Sequence, residues 1–324
     1  MIPVRTAGMA GAALSLAIFA APGYTQNFPT KTVRIISPFA PGGGNDTISR
    51  AIAQKLFDQL GQTVIVENRP GANTIVGTQF VAKSAPDGYT LILVSNSHVI
   101  NQSLYAKLPY DAVRDFSPIT LVGTSPLLLV VHPSLPAKSV PDLTRLARSK
   151  PAELTFSTAG IGSSAHLAGE LLASMAGVKL QHIAYKGSAP AVTALLSGEV
   201  TMSIAPSLTF LPHARAGRVR ALATTSARRS PAAPDIPSVA ESGLPGYAVD
   251  QWYGLIGPAH VPNDIAQRLS RAVAAVLKLP DVHERLSKQG VDPTGSTPEE
   301  FARLIVTDVE RWAKVVKEAG LKVD

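Results

Sequence analysis

Short runs of consecutive apolar residues alternate along this chain with stretches whose apolar residues recur every three or four positions. That alternation predicts an α/β protein. Val33 to Phe39 reads as a strand ending in Pro41-Gly42-Gly43-Gly44. Ile48, Ile52, Leu56 and Leu60 then fall on one face of a helix opened by Asn45 or Asp46. Val64 to Val66 is the next strand, residues 73–82 the next helix, and Tyr89 to Val94 a third strand after the turn Asp87-Gly88.

A second unit follows Pro126. Leu127 to Val131 and Leu154 to Ser157 read as strands around a helix capped by Ser139. A helix then runs to Ala176, with a strand over Leu180 to Ala184 and a helix over Ala189 to Leu196. Met202 to Ile204 and Ala221 to Thr224 are short strands. Residues 230–246, rich in Pro, Gly and Ser, read as a long surface connection. A strand at Gln251 to Ile256 and three helices complete the chain. In the last helix, Thr297-Pro298-Glu299-Glu300 forms a capping box. Phe301, Leu304, Ile305, Val309, Trp312, Val315 and Val316 form its buried stripe, and Gly320 ends it.

The expected architecture is two doubly wound α/β lobes around a cleft. Residues 24–124 plus 250–324 form the first lobe and 125–249 the second, with ligand loops beyond the carboxyl ends of the strands.

The N-terminus alters this picture. Arg5 precedes an uncharged apolar run from Ala7 to Ala21, and Ala21-Pro22-Gly23 supplies small residues for cleavage before Tyr24. Residues 1–23 are therefore expected to be a signal peptide, too short to span a membrane comfortably, that directs a freely soluble protein to the periplasm. The 324 residues contain no cysteine, which excludes disulfides, thiolate metal sites and a cysteine nucleophile. The 30 Lys+Arg against 23 Asp+Glu give +7, but the basic residues are spread thinly. Nucleic acid is not an expected partner. A mild attraction for anions is.

Candidate chemistry centres on two small-residue loops, each between a strand and a helix: Phe39-Ala40-Pro41-Gly42-Gly43-Gly44 and Thr158-Ala159-Gly160-Ile161-Gly162-Ser163-Ser164. Glycine lets backbone approach a ligand, and the following helix offers unpaired N–H groups and a positive dipole end to an anion. The expected ligand-binding residues are Phe39, Ala40, Gly42, Gly43, Asn73, Thr74, Ser95, Asn96, Thr158, Gly160, Gly162, Ser163, Ser164, Tyr185 and Asp250. Of Ser163 and Ser164, one is expected to cap the helix and the other to face the cleft. Tyr185 is expected to present its hydroxyl there, with Lys186 either steering anions or simply solvated. Thr47 stands where a dinucleotide loop needs its third glycine, and no Gly-Lys-Ser/Thr, Gly-x-Ser-x-Gly or His-Glu-x-x-His occurs. His166 and Glu170 lie one turn apart without a third ligand, and Asp46 and Arg50 read as an i,i+4 ion pair. Neither a catalytic residue nor a metal or cofactor is expected. Whether His166 or Lys186 touches the ligand stays open.

Several stretches carry a family resemblance: Pro38-Phe39-Ala40-Pro41-Gly42-Gly43-Gly44-Asn45-Asp46, Glu67-Asn68-Arg69-Pro70-Gly71-Ala72, Ala85-Pro86-Asp87-Gly88-Tyr89-Thr90-Leu91, Ser157 through Leu167, Ala184-Tyr185-Lys186-Gly187, Asp235 through Gly243, and Trp252-Tyr253-Gly254-Leu255. In order and spacing these resemble the Bug family of extracytoplasmic solute receptors, the TctC-like binding components of tripartite tricarboxylate transporters. The resemblance implies a Venus-flytrap fold of periplasmic binding protein type II. It also implies a carboxylate ligand held by loop N–H groups and waters, and a monomer that delivers a small organic acid to membrane transporter subunits or, alternatively, signals to a sensor kinase. Asn73 and Thr74 depart from the pattern, because the family usually has glycines after Gly71-Ala72.

Overall fold

The computed structural model describes residues 1–2, 28–231, 233–318 and 321. The expected signal segment lies outside the described residues except for its first two. So does Gly320, the expected helix stop.

The first sheet has the order β2-β1-β3-β9-β4. It contains β1 (Val33–Ser37), β2 (Val64–Asn68), β3 (Thr90–Ser95), β9 (Asp250–Pro258) and the leading part of β4 (Phe116–Val131). β1 pairs parallel with β2 and β3, while β9 runs antiparallel between β3 and β4. A two-residue strand, β10 (Asp292–Pro293), adds to β4. Beyond Pro126, β4 leaves β9. Its Leu127–Val131 stretch pairs antiparallel with β7 (Met202–Pro206), and Leu128–Val131 also with β8 (Arg220–Thr224). β5 (Thr155–Thr158) and β6 (Gln181–Ala184) complete this second sheet in parallel with β7. The two-lobed α/β arrangement expected from the sequence is thus present, with β4 passing from the first sheet into the second.

The helices α1 (Gly44–Leu60), α2 (Ile75–Ala82) and α3 (Ser97–Leu104) pack on the first sheet. α4 (Val140–Ser149), α5 (Ser164–Ala176), α6 (Ser188–Leu196) and α7 (Ser207–Arg215) pack on the second. α8 (Asn263–Leu277), α9 (Pro280–Lys288) and α10 (Pro298–Glu318) return to the first. In the α10 capping box, Thr297 N–H donates to Glu300 Oε2 at 2.9 Å and Glu300 N–H to Thr297 Oγ1 at 3.2 Å. Phe301, Ile305, Trp312 and Val316 are buried, with Leu304, Val309 and Val315 packed beside them.

Besides β10, three elements are not evident in the sequence pattern. The leading part of β4 contains Pro118, Gly123 and Pro126, which read as breakers; β-bulges near Pro118 and Leu121 accommodate two of them. α7 carries Pro212 in its interior. α3 buries His98 and Asn101 along with Val99 and Ile100, so its polar positions mark no solvent face.

Candidate functional site

The two glycine loops share one backbone design. Gly42 and Gly162 have φ of 80° and 75°, a region natural to glycine. Gly42 N–H donates to Asp46 Oδ2 at 2.9 Å, and Gly162 N–H donates to His166 Nδ1 at 3.2 Å. Both are main-chain-to-side-chain bonds to the residue four positions on. The next amides, of Gly43 and Ser163, donate at 3.3 Å to Ala40 O and Gly160 O respectively. The helix begins one residue later in each. Beyond these bonds the first-turn amides of Gly44 and Asn45 in α1, and of Ser164 and Ala165 in α5, have no acceptor among the described residues.

Behind the first loop the clamp is ionic. Asp46 also accepts from Arg50 Nε at 3.0 Å and Asn68 Nδ2 at 2.9 Å. Burial works to raise the Asp46 pKa, but the bonds from Arg50, Gly42 N–H and Asn68 outweigh it and hold the carboxyl below its usual range. Behind the second loop the clamp is aromatic. The His166 ring stacks on His182 with centroids 3.9 Å apart, and His182 Nε2 lies 2.7 Å from Thr158 Oγ1. Burial, followed by the neighbouring His166, pushes the His182 pKa down to about 3, so its ring is neutral at pH 7. Glu170 Oε1 lies 3.5 Å from His166 Nε2. No group of three metal-ligating side chains occurs among the described residues.

Between the loops lies a narrow cavity of about 40 Å³, the room of about three water molecules. Five helices begin at its wall. Gly44 and Asn45 of α1 and Ser97 of α3 come from one side. Ser164 and Ala165 of α5, Ser188 and Ala189 of α6, and Pro206 before α7 come from the other. Phe39, Ala40, Gly43, Ser95, Ser163, Gln251 and Tyr253 also line it, and no charged side chain does. The wall is therefore neutral by side chain yet positive through converging helix dipoles. A larger open hollow of about 520 Å³, bordered by Arg215, Arg220 and Ile236, contains no residue of either loop.

Of the expected site residues, the structure brings Phe39, Ala40, Gly43, Ser95, Ser163 and Ser164 to this cavity. Ser163 caps α5, accepting from His166 N–H at 3.2 Å. Ser164 faces the cleft and donates to Gln251 Oε1 at 2.6 Å. Thr158 and Gly160 sit behind the loop and Gly42 at its outer rim, where they shape the turn. Gly162 packs against the other lobe, where a Cβ would run into Leu104 Cδ2 and stand 3.0 Å from Asn73 Nδ2.

Other expected site residues lie elsewhere. Tyr185 follows β6 at the sheet edge and packs beside Ile183 and Val192 on the α6 side. Its hydroxyl donates to Glu199 Oε1 at 2.6 Å rather than into the cleft. Lys186 beside it is exposed. Asn96 is structural, accepting from Trp252 N–H at 2.9 Å and donating to Asp250 O at 3.3 Å. Asp250 is exposed and borders a separate hollow with Thr124 and Arg228. Asn73 exchanges hydrogen bonds of 2.8 Å with Asn101. Ala72, Asn73 and Thr74 have φ of 44°, 46° and 78°. Asparagine tolerates that region, but for β-branched Thr74 it costs about 1–2 kcal/mol. This is the physical reason glycines suit the segment. Gln251, Tyr253, Ser97, Ser188 and the start of α7 are cavity residues that sequence reading missed. Tyr253 carried a signal, since it lies in the Trp-Tyr-Gly stretch of the family pattern.

A neutral cleft with facing helix N-termini between two α/β lobes defines a solute-binding protein. Residues 48–321 match the family described as tripartite tricarboxylate transporter family receptor, or TctC, and the chain belongs to that family. Protein BugT of Bordetella pertussis is 37% identical over 321 residues, 98% of each chain. Rpa4515 of R. palustris, solved with adipate, superposes with a TM-score of 0.88 at 36% identity, covering 91% of this chain and 99% of that one. MatC from Rhodopseudomonas palustris, with bound malate, gives 0.84 at 33% identity over 89% of this chain and 100% of its own.

Proposed function

We propose that this receptor captures a small organic acid in the periplasm and delivers it to membrane transporter subunits, without catalysing a reaction. The observation that carries the reading is the convergence of five helix N-termini on a cavity without a charged side chain. A carboxylate in that position receives backbone N–H bonds, each worth about 1.5–3 kcal/mol to a charged acceptor. A handful of them accounts for micromolar affinity, about −8 kcal/mol, after the costs of association. The adipate and malate held by the two relatives support the same ligand class. A diacid needs more room than the cavity provides, so the lobes part to admit it and close around it. The division into 24–124 plus 250–324 and 125–249, with 1–23 as signal, is supported by the point beyond Pro126 where β4 leaves β9 for β7 and β8, and by the apolar N-terminal run. Function as a monomer is part of this reading.

A thermal-shift screen of C4 to C6 dicarboxylates, malate and adipate among them, tests the ligand class. Binding to the native state alone raises the melting temperature with concentration, by about 2.7 kcal/mol of stabilisation at 100 times Kd. A melting temperature indifferent to every acid in the screen contradicts the proposal.

A further inference from the structure

β9 presents Gln251 and Tyr253 to the cleft, two residues apart and therefore on one side of the strand. Trp252, between them, points to the opposite side, where its Nε1–H donates to Asp308 Oδ2 at 2.6 Å. Gln251 already has a role in this geometry, accepting the Ser164 hydroxyl from the other lobe. Tyr253 has none. It is 0% exposed, and its hydroxyl makes no hydrogen bond of good geometry among the described residues, although the Gln251 side chain lies close enough to act on it electrostatically. The hydroxyl sits at the first turn of α1, where a Cβ built on Gly44 would stand 3.1 Å from Tyr253 Oη. Glycine at position 44 thus leaves room for the phenol beside the unpaired amides of Gly44 and Asn45.

A buried hydroxyl with no partner destabilises a fold, and phenylalanine would fill the same volume without that penalty. The orphaned group therefore calls for an acceptor that arrives from outside the chain. Burial raises the phenol's pKa, so it stays protonated and can donate.

We infer that Tyr253 is a ligand-contacting residue whose hydroxyl donates a hydrogen bond to a carboxylate oxygen held at the N-terminus of α1. This rests on the reading that the cleft takes a carboxylate. Tyr253 adds the cavity's one aromatic hydroxyl among the described residues, on the same strand face that clasps α5 through Gln251. Ligand recognition and the closed arrangement of the lobes are thereby registered on one strand.

The test is Tyr253→Phe, with Tyr110→Phe as control. Tyr110 is also buried with an orphaned hydroxyl, but it packs in the core beside His98 and Phe116. Calorimetric titration with malate and adipate is paired with thermal melts of the ligand-free proteins. Tyr253→Phe is expected to melt at or above the wild-type temperature without ligand, and to bind the acid that wild type prefers about tenfold more weakly. Tyr110→Phe is expected to bind as wild type does. Equal affinity of wild type and Tyr253→Phe overturns the assignment and leaves the carboxylate reading intact. A lowered melting temperature of ligand-free Tyr253→Phe, or an equal loss of affinity in Tyr110→Phe, also overturns it, since either marks a packing role. Wild type that binds neither acid overturns the assignment and counts against the reading on which it rests.

Discussion

The turns from β1 into α1 and from β5 into α5 are built alike and braced differently. In each a left-handed glycine donates its N–H to the side chain four residues on. That acceptor is the Asp46 carboxylate in one lobe and the His166 imidazole in the other. The first is gripped from behind by Arg50 and Asn68, the second by its stack on His182. The helix is uncapped by any side chain at Gly43 and capped by a hydroxyl at Ser163. The backbone turn is thus shared by the two lobes, while the group that holds it is exchangeable. What the turn presents to the cleft is the same in both lobes: free amides at the start of a helix.

The glycines themselves give the sharpest way to break the parallel. Gly42 and Gly162 carry the same backbone strain if replaced, about 1–2 kcal/mol. A Cβ at Gly42 meets nothing within 4 Å, whereas at Gly162 it runs into Leu104 of the opposite lobe. Gly162→Val is therefore expected to weaken binding at least 100-fold by holding the lobes apart, with native far-UV circular dichroism. Gly42→Ala is expected to lose stability by about 1–2 kcal/mol and to keep binding. Equal loss of affinity in both variants would mean that loop conformation, not lobe contact, is what Gly162 supplies.

A smaller effect separates the two braces by pH. His182 titrates near 3 in the fold against about 6.5 when unfolded, so its neutral packing contributes fully above pH 6.5 and is lost as the pH falls toward 3. Asp46 has a lowered pKa, so its contribution persists until the pH drops below the ordinary carboxylate range. Between pH 7 and pH 5 the imidazole brace weakens and the carboxylate brace does not. Urea unfolding at those two pH values is expected to show wild type losing about 1 kcal/mol more than His182→Asn, a figure discounted for the partial solvent access of the ring. His98, also pushed down, to about 4, titrates in both proteins and cancels in this difference. Identical losses in the two proteins would remove His182 from the account.

Much of this arrangement was legible in the sequence because the signals are local. The period-four apolar positions after Gly44, the Ser139 cap, a cap at one of Ser163 and Ser164, and the capping box at Thr297 each require only neighbouring residues. The loop residues nearest the helix starts reached the cavity as expected. Residues that lie away from the cavity do so for non-local reasons. The direction of the Tyr185 hydroxyl depends on Glu199 across the edge of the second lobe, and Asn96 is claimed by β9, more than 150 residues away in sequence. Tyr253 and Gln251 were missed because an apolar strand bearing aromatics reads as core. Which face of β9 meets the cleft is fixed by pairing with β3 and β4, and one residue of slip would bury both in the opposite layer.

Helix amides, not charged side chains, are expected to select the carboxylate. Calorimetric titration of the wild-type protein with a diacid from the C4 to C6 series, beside the dimethyl ester of the same acid, tests it most directly. One site per chain, micromolar affinity for the diacid and no measurable binding of the ester are expected. An ester that binds as tightly as its acid would contradict the claim.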